Sequence, residues 1–337
     1  MADAALHLAQ AAPTAPRQRR MLLGLGALLL AASALWLFQG LGEGNRAFIL
    51  QLRAVKLGAL LVVGAAVGVS TLLFQTVAAN RVLTPSIMGF DALYVLLQTS
   101  MVAVLGVAGF AAIPDVPKFL VELALMCALA VLLFGTLLGR GTRDIGRTIL
   151  TGVILGIMFR SASGLLARLI DPNEFAVVQA ASTVSFTRAN ATLLPIGAAL
   201  TAGAVAVALW LSPRLDVLAL GRDTAVSLGL PQGRMVVVTL GLVALLVSVA
   251  TALVGPLSVF GSPAFFGLVV AGLAHGLVRN YRHDVLLPAA ALIAANILVI
   301  GQMVFERLLG QQAALAVVIE FAGGLFFLYL LLKGRIR

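Results

Sequence analysis

Apolar runs of about 18 or more residues recur along nearly all of this 337-residue chain, with only short polar stretches between them. In hydrocarbon no water is available to pair backbone N–H and C=O groups, so each run must satisfy its own hydrogen bonds as a helix. The runs fall at about 21–38, 54–76, 90–112, 119–139, 148–170, 193–212, 235–254, 263–278, 285–303 and 312–332. The eighth is short and follows Gly261, Ser262 and Pro263. This pattern predicts an all-α polytopic membrane protein of about ten transmembrane helices, with both termini on one side. Composition excludes the soluble alternative: 61% of residues are hydrophobic and 11% charged, against about 45–50% and about 25% in soluble domains. Residues 1–20 read as a polar tail and 21–337 as one transmembrane domain.

A formal charge of +10 would suggest nucleic acid in a soluble protein. Here the basic residues sit mainly in short loops, so membrane lipid is the expected partner and nucleic acid is not. Of the 23 lysines and arginines, fifteen fall on the side holding the tail and six on the other, while Arg160 and Arg168 lie within a span. That bias predicts N- and C-termini in the cytoplasm. Arg17, Arg19 and Arg20 ahead of the first run, with Ala32-Ser33-Ala34 inside it, also fit a cleaved signal peptide. The run continues to Phe38 and serves equally as a first span. Cys127, the single cysteine, excludes an intrachain disulfide.

One loop, residues 213–234, is more than a connector. Asp223 and Thr224 are expected to cap a short helix, with Ala225, Val226 and Leu228 on its apolar side and Gly229 and Pro231 ending it. It reads either as an ordinary surface helix or as an element that receives work from another subunit. Within the spans, Gly64-Ala65-Ala66 with Gly68, and Gly323-Gly324, are the kind of small residues that let helix backbones approach closely.

Three stretches together resemble the FecCD family of permeases. Arg53-Ala54-Val55-Lys56 stands at an R-x-P-R position, ahead of VVGAAVGVSTLLFQTVAANRVLTPSIMG, in which Gln75, Asn80, Pro85 and Gly89 keep matching places. LDVLALGRDTAVSLGL looks like the family's L-N-x-L-x-L-G-E-E-x-A-x-S-L-G-V loop, and GGLFFLYLLLKGR is similar to its C-terminus. The chain departs at Arg222 and Asp223, where an acidic pair is usual. It departs again around 254–276, where Gly255-Pro256 is present but the following Gly-Leu is delayed to Gly267-Leu268 and Pro-His is replaced by Ala271-Gly272.

The resemblance implies a BtuC-like type II ABC importer permease fold, working as half of a permease homo- or heterodimer in the bacterial inner membrane. It implies separate ABC ATPase subunits that hold the ATP, a periplasmic substrate-binding protein, and an iron-siderophore as cargo, closer to the siderophore than to the vitamin B12 branch. Leu220, Gly221, Arg222, Asp223, Thr224, Ala225, Ser227 and Leu228 would form the ATPase-coupling loop. Arg53, Lys56 and Arg307 would dock the binding protein, although charges at helix ends also snorkel to the interface. No cofactor, metal or catalytic residue is expected on this chain, which is read as a transport subunit and not an enzyme.

Arg160 falls near the middle of the fifth span, where a lone arginine costs about 2.5–3.5 kcal/mol on insertion scales. It is expected either on the translocation path, facing an anionic chelate, or paired with Glu320. GTRDIGRT at 141–148 mimics a phosphate-binding loop, but it lacks the preceding strand such a loop needs and joins two spans. His7, His275 and His283 lie near span ends or in the tail, and no catalytic set is evident. The competing reading is a stand-alone ion-coupled secondary transporter that uses Arg160, Glu122 and Glu320 as a relay.

Overall fold

The computed structural model describes residues 16–40, 45–139, 145–256, 265–278, 280–308 and 325; within these, the side chains of 131–139, 145–149, 188, 307 and 308 are left undescribed. Among the described residues the chain forms twelve α-helices and two 3-10 turns, and no strand. In order they are α1 Pro16–Phe38, α2 Arg46–Ala78, a turn at Pro85–Met88, α3 Phe90–Ala112, α4 Asp115–Gly139, α5 Ile145–Leu169 and α6 Pro172–Ala181. After a turn at Phe186–Arg188 come α7 Leu193–Trp210, α8 Ser212–Leu218, α9 Arg222–Ser227, α10 Gln232–Val254, α11 Phe265–Val278 and α12 His283–Leu308. Nine of the expected spans coincide with one of these helices, and the tenth, 312–332, lies outside the described residues apart from the helical Leu325. Seven described helices are long and apolar enough to cross a membrane. At 14 residues α11 rises only about 21 Å.

The core is a three-helix centre with the other spans around it. The apolar stretches of α2, α10 and α12 are 72%, 67% and 61% buried, against 11% for α1. Small residues set the central contact between α2 and α12. A Cβ added at Gly64 would stand 2.8 Å from the Ala295 backbone nitrogen, and one at Gly68 would stand 2.6 Å from Ala290 O. This is the close packing expected of Gly64 and Gly68, while Gly323-Gly324 lies outside the described residues. Asn296 reaches from α12 to α1, donating to Leu25 O at 3.1 Å.

Three features depart from the expected outline. α2 runs for 33 residues, about 50 Å, and starts at Arg46 where a span was expected from 54. Asn45 caps it, its side chain accepting from the Phe48 N–H at 3.2 Å. Arg53 and Lys56 therefore sit on a helix and not in a loop. The stretch between the fifth and sixth spans folds α6, with Asp171 capping and Pro172 at its first position. Finally, α3 contains a break at Gly106, where φ is 65°.

Candidate functional site

The segment from Ser212 to Gly229 folds as two short helices. α8 follows α7 almost directly, with Pro213 in its first turn and Leu215 and Leu218 buried in the core. α9 packs on α8 and α10. The expected caps are not used: Gly221, at φ 93° and ψ 166°, is the N-cap, and no side chain bonds there. Entry is thereby earlier than expected and Asp223 falls inside the first turn, where its charge still suits the helix dipole. The stop is as expected. Gly229 takes φ 81°, its N–H bonds Val226 O at 2.9 Å, and the Leu230 N–H bonds Ala225 O at 3.0 Å, the two bonds of a Schellman ending.

The apolar side of α9 is divided. Ala225 is fully buried, so it seats the helix and is corrected from contact to support. Val226 and Leu228 point outward with Leu220, at 54%, 50% and 61% exposure. Arg222, Asp223, Thr224 and Ser227 are exposed beside them, and Gly221 is half-buried. Three large apolar side chains thus stand exposed on one short polar loop.

Beneath this surface lies a chain of hydrogen bonds that sequence reading did not find. Asp216 Oδ1 accepts from the His283 backbone N–H at 2.8 Å and lies 2.6 Å from His283 Nδ1. His283 Nε2 is 2.8 Å from Thr76 Oγ1, which also bonds Leu72 O at 2.8 Å. Asp216 belongs to α8, His283 begins α12, and Thr76 lies in the last turn of α2. The order resembles a hydrolytic triad. The hydroxyl, however, is engaged inside its own helix, and the arrangement joins three elements mechanically.

Arg53, Lys56 and Arg307 belong to the opposite end of α2 and to the end of α12. Arg53 donates to Leu37 O at 2.9 Å and Gln39 O at 2.8 Å, capping the C-terminus of α1. Lys56 is ion-paired with Glu306 and donates to Thr187 Oγ1 at 3.1 Å. Gln302 donates to the same Glu306 at 2.8 Å. The Arg307 backbone is helical, and its side chain lies outside the described residues. Arg160 is exposed on α5, bordering a face that carries exposed Leu150, Ile154, Ile157, Met158 and Leu165. A Cβ on Gly156 would stand 3.8 Å from Arg160 Nη2, so the guanidinium lies back along its own helix. Glu320 lies outside the described residues.

The profile of the FecCD transport family matches residues 21–333. The chain belongs to the FecCD transport family. It is 38% identical over 307 residues to the petrobactin import system permease protein YclO of Bacillus subtilis, covering 91% of this chain and 95% of that one. It is 31% identical over 287 residues to the petrobactin import system permease protein FatC of Bacillus anthracis, covering 85% and 79%. A solved structure of an ABC transporter of the metal-chelate type, in an inward-facing conformation, matches with TM-score 0.77 over 94% of this chain and 99% of that chain. At 23% identity that likeness speaks for the fold.

This FecCD chain therefore has the ABC importer permease fold, and its relatives are permease subunits and not enzymes. Its departure at Arg222 lies on the exposed first turn of α9. Of its departure after Gly255-Pro256, residues 257–264 lie outside the described residues, while Gly267-Leu268 and Ala271-Gly272 lie in α11, where a Cβ on Gly267 would run into Thr71. Polar residues inside apolar runs, such as Gln302 and Asn296, carried a usable signal, because lipid penalises them unless they are paired. Asp216 and His283 carried none. Each looks like an ordinary loop residue until the fold brings them together.

Proposed function

We propose that this chain is the permease subunit of an ATP-driven importer that carries a ferric siderophore of the petrobactin kind across the inner membrane. The observation that carries this reading is the likeness to two petrobactin permeases over most of the chain, at 38% and 31% identity. The exposed Leu220, Val226 and Leu228 are the apolar centre on which a separate ATPase seats, with Arg222, Asp223, Thr224 and Ser227 at the rim. Both termini face the cytoplasm, as the basic bias requires. The apolar face of α5 is covered by a second permease, and Arg160 at its edge faces the path taken by the anionic chelate. Arg53, Lys56 and Arg307, at the other end, receive acidic groups of a periplasmic binding protein.

Reconstitution tests the reading. Liposomes holding this chain with its ATPase, its second permease and its binding protein should import ferric petrobactin only when ATP is supplied inside the compartment that faces the ATPase. Uptake driven by a proton gradient, with no ATPase present, would instead establish the ion-coupled transporter.

A further inference from the structure

We propose that Asp216, His283 and Thr76 form a latch that carries movement of the α8–α9 segment into α2 and α12 during transport. The inference rests on the reading of the chain as an ATP-driven permease, and it makes all three positioning residues. The connection is direct at each step. α9 presents the exposed apolar surface, and α8 is held to the core by Leu215 and Leu218. Between those two anchors Asp216 reaches out to α12.

Its carboxylate takes two bonds from one residue, the backbone N–H and the ring Nδ1 of His283. It thus caps α12 and grips its first side chain together. That side chain is 3% exposed, so solvent competes little for its bonds. On its far side the ring meets Thr76 in the last turn of α2, just before the left-handed Ala79 that ends the helix. The threonine hydroxyl has a single proton, shared between Leu72 O and the ring nitrogen, and its oxygen has a lone pair left to accept a bond, so it stays within bonding distance of both.

The first turn of α12 is set off from the rest of that helix by a proline. Pro288 has no N–H, which removes the hydrogen bond that Asp284 O would accept, and a proline inside a helix makes a pivot. His283 lies on the latch side of this pivot. Beyond it, Ala290 and Ala295 pack against Gly68 and Gly64 of α2, so α2 and α12 meet at both ends of the lever.

The test counts molecules of radioiron-labelled ferric petrobactin imported per ATP hydrolysed, in liposomes holding the full importer. Thr76→Val keeps the side-chain shape and removes the hydroxyl, and Asp216→Ala removes the acceptor. Each should leave ATP hydrolysis within about twofold and cut iron imported per ATP about three- to tenfold, the worth of one hydrogen bond. The double variant should be no worse than the poorer single one, because both break one chain of contacts. Thr76→Ser and Asp216→Asn, which keep an oxygen in place, should restore the ratio. An unchanged ratio in Thr76→Val, or a loss that Thr76→Ser does not restore, overturns the latch. If Asp216→Ala fails to assemble, the two Thr76 variants decide alone. An unaltered importer that moves ferric petrobactin without ATP overturns the transport reading itself.

Discussion

Lys56 and Arg53 illustrate why a basic residue at the right position in a motif is not yet a free charge. Lys56 already has a carboxylate partner in Glu306, and Arg53 is spent on the last carbonyls of α1. If Lys56 also serves an acidic group on the binding protein, Glu306 competes with that group. Glu306→Gln should then raise binding-protein affinity at low salt by about two- to fivefold, and titration at two ionic strengths checks it. A lowered affinity would make the pair purely structural. Arg160 offers a second test at this scale. Arg160→Glu should slow import of an anionic ferric chelate while ATP hydrolysis continues, because the path would then repel its cargo; equal import by the two chains removes Arg160 from the path.

At the scale of elements, α9 is legible from sequence at its end and not at its start. Gly229 supplies the positive φ that a Schellman ending needs, whatever surrounds it. The start depends on how α8 delivers the chain to Gly221, which no local pattern of Asp223 and Thr224 reveals. The same packing turns Ala225 inward and leaves Leu220 outward. Leu220→Asp should therefore leave the permease folded and abolish ATPase attachment or coupling, measured by co-purification and by iron imported per ATP. The contact of α2 with α12 has no such tolerance. Gly68→Val drives a side chain into the Ala290 carbonyl and should destabilise the bundle by about 1–3 kcal/mol, read as a lowered melting temperature in detergent.

For the whole molecule, orientation is the property that follows from charge and not from packing. A cysteine placed at Ser227, which is exposed on α9, should react with a membrane-impermeant maleimide in inverted vesicles and stay unlabelled in intact spheroplasts. The reverse pattern would invert the topology. The sequence by itself determined that the chain is built from membrane-spanning helices and where nine of its described helices lie. In lipid each segment must satisfy its own backbone, so every span is written locally in its own residues. It also carried the family, through motifs local to Arg53–Lys56, Gln75–Gly89 and the 213–234 loop. Only the tertiary structure decided which polar side chains hold which. Asp216 and His283 are 67 residues apart, Thr76 and His283 are 207 apart, and Lys56 and Glu306 are 250 apart. Such partners are chosen by how whole helices pack, and a residue's own neighbours in sequence carry no record of that choice.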